Sequence, residues 1–425
     1  MRKNVLTNKI TQGVASVAIA SVVNKVIAFI SNIVVVRLVS QYDYGLFSSA
    51  NNIIMMAMLF TGLGTINGVL QYGAETRPYE EKLQYFKYSA IIGVLFDLIL
   101  TIGICLYAAL GFVPINETKL YVYLLAPSIV LHYIFEYLGA VLRSAKETKK
   151  YANLLNVNSI SFSILSVAGA YFFGIAGMSI GRSIAYALGI LMGLKYNRKI
   201  VLPVVKADSL TDVQKKELLV YSLSCCITAA LNRVLYVLDI FVISYSLKDA
   251  TQIAIYRVGT TIPESLEFIP QSILIAVIPY FAEHNKDNQW LRKWTKKLYL
   301  YSGLLNSAIT IALVATAPFI VKLFWGEEYS GSIPIFVILS VNYFVMATFR
   351  QIGTNIISTL RRVKYNVVIS VITCLADIVL DVVFVKAWGI EGAAYATLIV
   401  VIIASVLSFP YVFKLIYGRN KNSKL

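Results

Sequence analysis

Long apolar runs alternate with short polar breaks along the chain. Their spacing predicts twelve membrane-spanning helices, at 12–38, 45–70, 87–111, 119–142, 152–172, 175–196, 217–245, 251–281, 297–324, 331–358, 365–386 and 390–416. A helix needs about 20 apolar residues to cross a hydrocarbon core about 30 Å thick, and the runs are of that order. The first follows a basic start (Arg2, Lys3, Lys9) but continues past signal-peptide length to about Val39, so an uncleaved first helix is expected.

Two runs contain residues that hydrocarbon rejects. Span 217–245 carries Asn232, Arg233 and Asp239; span 251–281 carries Arg257, Glu264 and Glu267, with Pro263, Pro270 and Pro279. A charged side chain at mid-bilayer costs roughly 3 kcal/mol even on lenient insertion scales, so such groups face a bundle interior or a wet cavity. Arg257, Thr260, Thr261, Glu264, Glu267 and Gln271 recur at helical spacing as one polar stripe. Prolines inside a span remove backbone bonds and kink it. Asn232 and Asp239, seven residues apart, fall on one face of a continuous helix, with Arg233 at its edge. The pair of spans is expected to line a charged, aqueous cavity. The competing reading pairs Arg233 or Arg257 with Asp239 or Glu264 only to hold helices together. Desolvation offsets most of the attraction of a buried pair, which makes that the poorer account.

Other spans add polar features. Asn24, Lys25, Ser31 and Asn32 form a stripe on span one, read as cavity lining against a hydrogen-bonded cluster. Arg37 lies near the outer end of that span, facing the cavity or snorkelling to headgroups. Asp377 and Asp381 point the same way on span eleven, either to hold a proton or Na⁺ or to cap toward Lys386. His132 and Glu136 on span four read as a satisfied structural pair. On span six Gly177, Gly181, Ala185, Gly189 and Gly193 recur every four residues, a ribbon expected to pack on the Asn156, Ser159, Ser163, Ser166 and Ala170 face of span five.

Composition agrees with a polytopic protein: of 425 residues 58% are hydrophobic and 14% charged, with mean hydropathy +0.71. The net charge of +16 is gathered in short clusters between apolar runs, which is a topology signal and not a nucleic-acid surface. With the N-terminus in the cytoplasm, 28 of the 38 Lys and Arg fall on the cytoplasmic side and four opposite. Both termini are therefore expected in the cytoplasm. The remaining six, Lys25, Arg37, Arg182, Arg233, Arg257 and Arg350, lie within spans.

A basic connector at 201–216 separates an N-terminal six-helix lobe (1–200) from a C-terminal one (217–425). The halves echo each other. Leu142-Arg143-Ser144-Ala145-Lys146 matches Leu360-Arg361-Arg362-Val363-Lys364 at an offset of 218, and Gly174-Ile175-Ala176-Gly177 matches Gly389-Ile390-Glu391-Gly392 at 215. The expected fold is an all-α polytopic membrane protein: twelve transmembrane helices in two six-helix lobes, related by a pseudo-two-fold axis along the membrane normal. Cys105, Cys225, Cys226 and Cys374 lack metal-ligand spacing and read as small packing residues. No phosphate-cradling glycine loop or metal-binding motif points to an enzyme or a resident cofactor. Transport is then expected to draw on an ion gradient, H⁺ or Na⁺, the membrane potential, or the substrate's own gradient.

Arg37-Leu38 followed by Asp43-Tyr44-Gly45-Leu46-Phe47 resembles the "R-L-(x)n-YG-x-F" stretch after the first helix of polysaccharide and lipid-linked oligosaccharide (O-antigen-type) flippases of the multidrug/oligosaccharidyl-lipid/polysaccharide exporter superfamily. Asp239 with Tyr256-Arg257-Val258-Gly259 is similar to the matching stretch of the second lobe. Ile269-Pro270-Gln271 and Ile278-Pro279-Tyr280 resemble the proline-bearing eighth helix, and Trp388-Gly389-Ile390-Glu391-Gly392-Ala393-Ala394 the "GI-x-GAA" turn.

The resemblance implies export of an undecaprenyl-diphosphate-linked oligosaccharide repeat unit across the bacterial cytoplasmic membrane, for O-antigen, capsule or a related envelope polymer, beside glycosyltransferases and a polymerase. Lys25, Arg37, Arg233 and Arg257 would then meet its phosphates, and Asn232, Tyr236 and Tyr256 its sugars. Asp239, Glu264, Glu267, Asp377 and Asp381 would couple the ion. Two alternatives stand. A drug or organic-cation antiporter of the same superfamily would share the helical plan but should present an acidic cavity, and a non-transport scaffold would not need charges in lipid.

Overall fold

The structure is a computed structural model and describes residues 23–418; residues 1–22 and 419–425, and with them the first part of span one, lie outside the described residues. Among the described residues every regular element is a helix. They form two compact units that divide between Arg233 and Val234.

The first unit contains α1 (23–38), α2 (Gln41–Met58), α3 (Thr65–Ala74), α4 (Tyr79–Ala109), α5 (Thr118–Leu125), α6 (Pro127–Ser144), α7 (Thr148–Tyr196), α8 (Arg198–Lys206) and α9 (Asp212–Arg233). The second contains α10 (Leu238–Leu247), α11 (Ala250–Ser265), α12 (Phe268–Glu283), α13 (Asn288–Phe324), α14 (Ile333–Val345), α15 (Gln351–Thr359) and α16 (Val363–Gly418). Eight helical stretches are long and apolar enough to cross a membrane. The basic connector is partly helical, as α8, and α9 packs on α3 within the first unit.

At 1.5 Å per residue, α7 and α16 would reach about 74 and 84 Å if straight, far beyond one bilayer. Both fold back on a glycine. Gly174 (φ 60°, ψ −150°) and Gly389 (φ 62°, ψ −141°) hold a conformation open only to glycine. The limbs then meet closely: a Cβ on Gly169 would lie 2.5 Å from the Gly177 backbone, and one on Gly392 would lie 2.0 Å from the Phe384 carbonyl oxygen. Each of these helices therefore supplies two of the expected spans.

The glycine ribbon of span six is used in two parts. Gly177 and Gly181 lie against span five, while Gly189 and Gly193 receive Phe135 and Leu138 of α6. The polar face of span five turns elsewhere. Asn24 of α1 donates to Asn156 Oδ1 at 3.1 Å, and Ser31 donates to the Ser163 carbonyl at 3.2 Å. Polar groups in a dry bundle seek polar partners, whereas glycines need none, so the polar face meets span one through these bonds.

Several spans are interrupted. Between α2 and α3, Gly62, Leu63 and Gly64 are left-handed, and the buried Gly62 N–H donates to Asp97 Oδ1 at 2.7 Å. The span around Asp239 is not one helix: α9 ends at Arg233, a 3₁₀ turn covers Val234–Tyr236, and α10 starts at Leu238. The seven-residue helical spacing of Asn232 and Asp239 is therefore lost. With neither Pro nor Gly at 234–237, the sequence gives no sign of this break. The eighth span breaks between α11 and α12, because Pro270 cannot donate to the carbonyl one turn earlier.

The internal repeat is exact in register. Lys146 (φ 60°) and Arg361 (φ 63°) are left-handed. The bonds Lys146 N–H to Arg143 O and Glu147 N–H to Leu142 O recur as Arg361 to Ser358 and Arg362 to Ile357. These are the same helix-ending motif, at the 215-residue offset of the two hairpin glycines. The first motif pair is thereby moved from an offset of 218, because the backbone matches Lys146, not Arg143, to the Arg361 turn.

Gly392→Ala is expected to destabilise the protein by about 1–3 kcal/mol through its contact with the Phe384 carbonyl. Gly103→Ala, with nothing within 4 Å of the new methyl, should be neutral. Melting temperatures of the detergent-purified variants check both.

Candidate functional site

The second unit gathers three buried carboxylates at one point. Asp239 lies in the first turn of α10, where the helix dipole favours negative charge. Asp377 and Asp381 stand one turn apart on the first limb of α16, and both are buried. One oxygen from each of the three lies within 4.8 Å of the others. The hairpin at Gly389 returns the second limb beside them, where Thr397 Oγ1 donates to Asp239 Oδ2 at 2.9 Å. The Tyr256 hydroxyl donates to the same oxygen.

Bonds are missing where charge is greatest. Among the described residues, Asp239 Oδ1, Asp377 Oδ2 and both oxygens of Asp381 are buried and meet no hydrogen-bond donor. Close, desolvated carboxylates cannot all be ionised unless a positive charge joins them, and otherwise some stay protonated. Oxygen donors of this kind suit a proton or a hard cation. Asp377 and Asp381 turn to Asp239 and not toward Lys386, which is exposed.

A polar cavity of about 50 Å³ adjoins Asp239 and Thr397, reaching Tyr236, Glu264, Glu267, Tyr343 and Arg350. Arg257 Nη1 lies 3.4 Å from Glu264 Oε2, and both side chains keep about a third of their surface exposed (33% and 39%). Thr260 and Thr261 donate to the Arg257 carbonyl; of the expected polar stripe, Glu267 lies at the break and Gln271 on α12, beyond the end of α11 at Ser265. The ion pair forms within α11 between Arg257 and Glu264; Arg233 and Asp239 belong to different units.

Other predicted residues fall elsewhere. Lys25 and Arg37 are exposed on α1, and Arg233 is exposed at the end of α9, all in the first unit. The side chain of Asn232 lies outside the described residues. Tyr236 is 48% exposed, whereas Tyr256 is 1% exposed. The ring of Tyr256, expected among the sugar contacts, is enclosed, and its hydroxyl bonds Asp239. His132 rests edge-on to Tyr186 at 5.4 Å, and Glu136 lies 3.8 Å from Arg143.

Sequence reasoning missed Arg350 and Thr397. The signal for Arg350 was present: it is one of six bases inside spans, and it ends a π-helical turn, Met346–Arg350, a distortion common at functional sites. Nothing marked Thr397, one hydroxyl among many on an apolar limb.

A family profile described as "Polysaccharide biosynthesis protein" matches residues 10–285. No curated protein sequence matches the chain. Among solved structures, "Lipid II flippase MurJ, inward closed conformation" superposes with a TM-score of 0.74 at 16% identity, covering 93% of this chain and 87% of that one. An inward-facing multidrug resistance MATE family transporter of the MOP superfamily gives 0.63 at 14% identity, covering 94% and 96%. A MOP superfamily transporter from Pyrococcus furiosus, whose structure is described as having a binding pocket of reverse polarity, gives 0.64 at 14% identity, covering 96% of each chain. At such identities the likeness establishes the fold.

Replacing one of the three carboxyls by an amide removes the need to hold a proton there where no cation is offered. In choline buffer Asp381→Asn is expected to melt no lower than the unaltered protein. In sodium buffer the unaltered protein should gain about 1–3 kcal/mol and the variant little. Thermal unfolding in the two salts reads this directly, and equal curves for the unaltered protein would assign the site to protons.

Proposed function

On the premise that this chain belongs to the polysaccharide biosynthesis protein family and is a multi-pass membrane transporter of the MOP-superfamily fold, we propose that it flips an undecaprenyl-diphosphate-linked oligosaccharide from the cytoplasmic to the outer leaflet of a bacterial inner membrane. Both termini stay in the cytoplasm, and the polymer served is an O-antigen, capsule or related envelope glycan.

The observation that carries this reading is the state of Arg257. A guanidinium within an apolar span lies 3.4 Å from the Glu264 carboxylate and remains a third exposed. Such a pair is strong enough to keep the charge in the membrane. It is open enough for a diphosphate, a doubly bidentate partner for guanidinium, to displace Glu264. Lys25, Arg37 and Arg233 add exposed positive charge on the first unit, and Arg350 adds another beside Glu264 and Glu267.

The carboxylate cluster supports ion coupling, by H⁺ or Na⁺, as the drive. Its cavity of about 50 Å³ holds a small ion or water and not an organic cation. This weighs against the drug-antiporter alternative at that point of the protein. Binding of the ion removes net negative charge beside Glu264, which shifts the Arg257–Glu264 pair and so links the ion to the anionic head.

Arg257→Ala and Lys25→Ala are each expected to reduce polymer export at least about tenfold at unchanged protein level, with Arg257→Lys intermediate because a point charge replaces a fork. Leaflet accessibility of a lipid-linked sugar in reconstituted vesicles measures this. Normal export by both alanine variants would refute the assignment.

A further inference from the structure

An apolar cavity of the second unit lies between α12 and α13, apart from the carboxylate cluster. Its volume is about 590 Å³, within the range of about 300–1,000 Å³ typical of ligand sites. Ile273, Val277 and Tyr280 form the α12 wall, and Trp294, Tyr301 and Leu305 the α13 wall. The gap exists because α12 packs on α15 instead of closing against the helix that follows it. Its floor is the cluster of Leu274, Phe281, Leu298 and Tyr299 with α15 and α16 residues.

One end of this groove is chemically distinct. Lys297 lines it, with Nζ 4.9 Å from the Trp294 ring centroid, while the His284 ring stacks on Trp290 at 4.3 Å. Lys286, Arg292, Lys293 and Lys296 surround that end in sequence. Tryptophan and lysine together mark the level of lipid headgroups. From Trp290 to Leu305 the groove follows α13 for about 22 Å, most of the depth of a hydrocarbon core. It is therefore cationic where a phosphate would sit and apolar where a chain would lie.

We propose that this groove receives the polyprenyl chain of a polyprenyl-phosphate lipid, its phosphate held near Lys297. The assignment rests on the function proposed above and names where the lipid's tail travels. Three features favour a single isoprenoid over a diacyl phospholipid. The groove is one channel between two helices, not a pair. Its walls are largely aromatic, suited to the double bonds and branching methyls of isoprene units. On the same helix α12, Gln271 of the polar stripe lies six residues from Val277, so the stripe and the groove adjoin along one helix.

The test uses full-length protein in detergent with undecaprenyl phosphate as probe and phosphatidylglycerol as competitor, read by native mass spectrometry. Undecaprenyl phosphate should be retained over an equimolar amount of phosphatidylglycerol. Leu305→Trp, at a position 42% exposed, should weaken retention about tenfold by filling the groove without disturbing the core. Lys297→Gln should weaken it less, and normal retention of phosphatidylglycerol in both variants shows that they are folded. Equal retention of the two lipids by the unaltered protein, or unchanged undecaprenyl phosphate binding in Leu305→Trp, would overturn the assignment. The two readings fail separately. Loss of sugar-lipid flipping in Arg257→Ala with the adduct intact leaves the groove standing. A protein that flips no lipid-linked sugar yet keeps the adduct refutes the function and not the groove.

Discussion

A carboxylate removed from water needs a proton, a hydrogen-bond donor or a positive charge, and the second unit folds three of them onto one point. Asp239 is met by Tyr256 and Thr397, but Asp381 has no partner on either oxygen. The surrounding structure maintains that deficit. The 3₁₀ turn at Val234–Tyr236 brings Asp239 to a helix start, the Gly389 hairpin sets Thr397 opposite Asp381, and the break between α11 and α12 leaves Glu264 and Glu267 beside the cavity. A site built this way favours a proton or a positive partner.

The first unit answers the same geometry with different chemistry. At the 215-residue offset fixed by Gly174 and Gly389, the positions of Asp377, Asp381 and Thr397 are held by Phe162, Ser166 and Arg182. Arg182 lies 6.0 Å over the Phe162 ring and donates to Asn51. One half of the repeat thus carries a covalently fixed cation where the other exposes carboxylate oxygens. The duplicated scaffold thus carries one basic and one acidic copy of the same position.

In the function proposed, the apolar groove and the polar stripe would divide an amphiphile between them. A lipid-linked sugar is long, apolar at one end and anionic in the middle, and no single cavity suits both parts. The polar stripe of α11 and the splayed gap between α12 and α13 are formed by consecutive helices. The break at residues 266–267, which the prolines on either side enforce, is what lets one chain segment serve both environments.

The sequence alone determined most of the architecture, because hydrocarbon imposes a strict local rule. Apolar runs had to be helices of membrane length, basic loops marked one side, and charges inside runs had to find water or partners. That is why the stripe from Arg257 to Glu267, the Asp377–Asp381 pair and the repeated glycine turns were legible one residue at a time. What the sequence did not carry was which faces meet. Asp239, Asp381 and Thr397 span 158 positions of chain, and no periodicity within one helix says that three helices converge there. The break before Asp239, the enclosure of Tyr256 and the arrival of Arg350 were likewise decided by packing, since helical spacing fixes direction only about a helix's own axis.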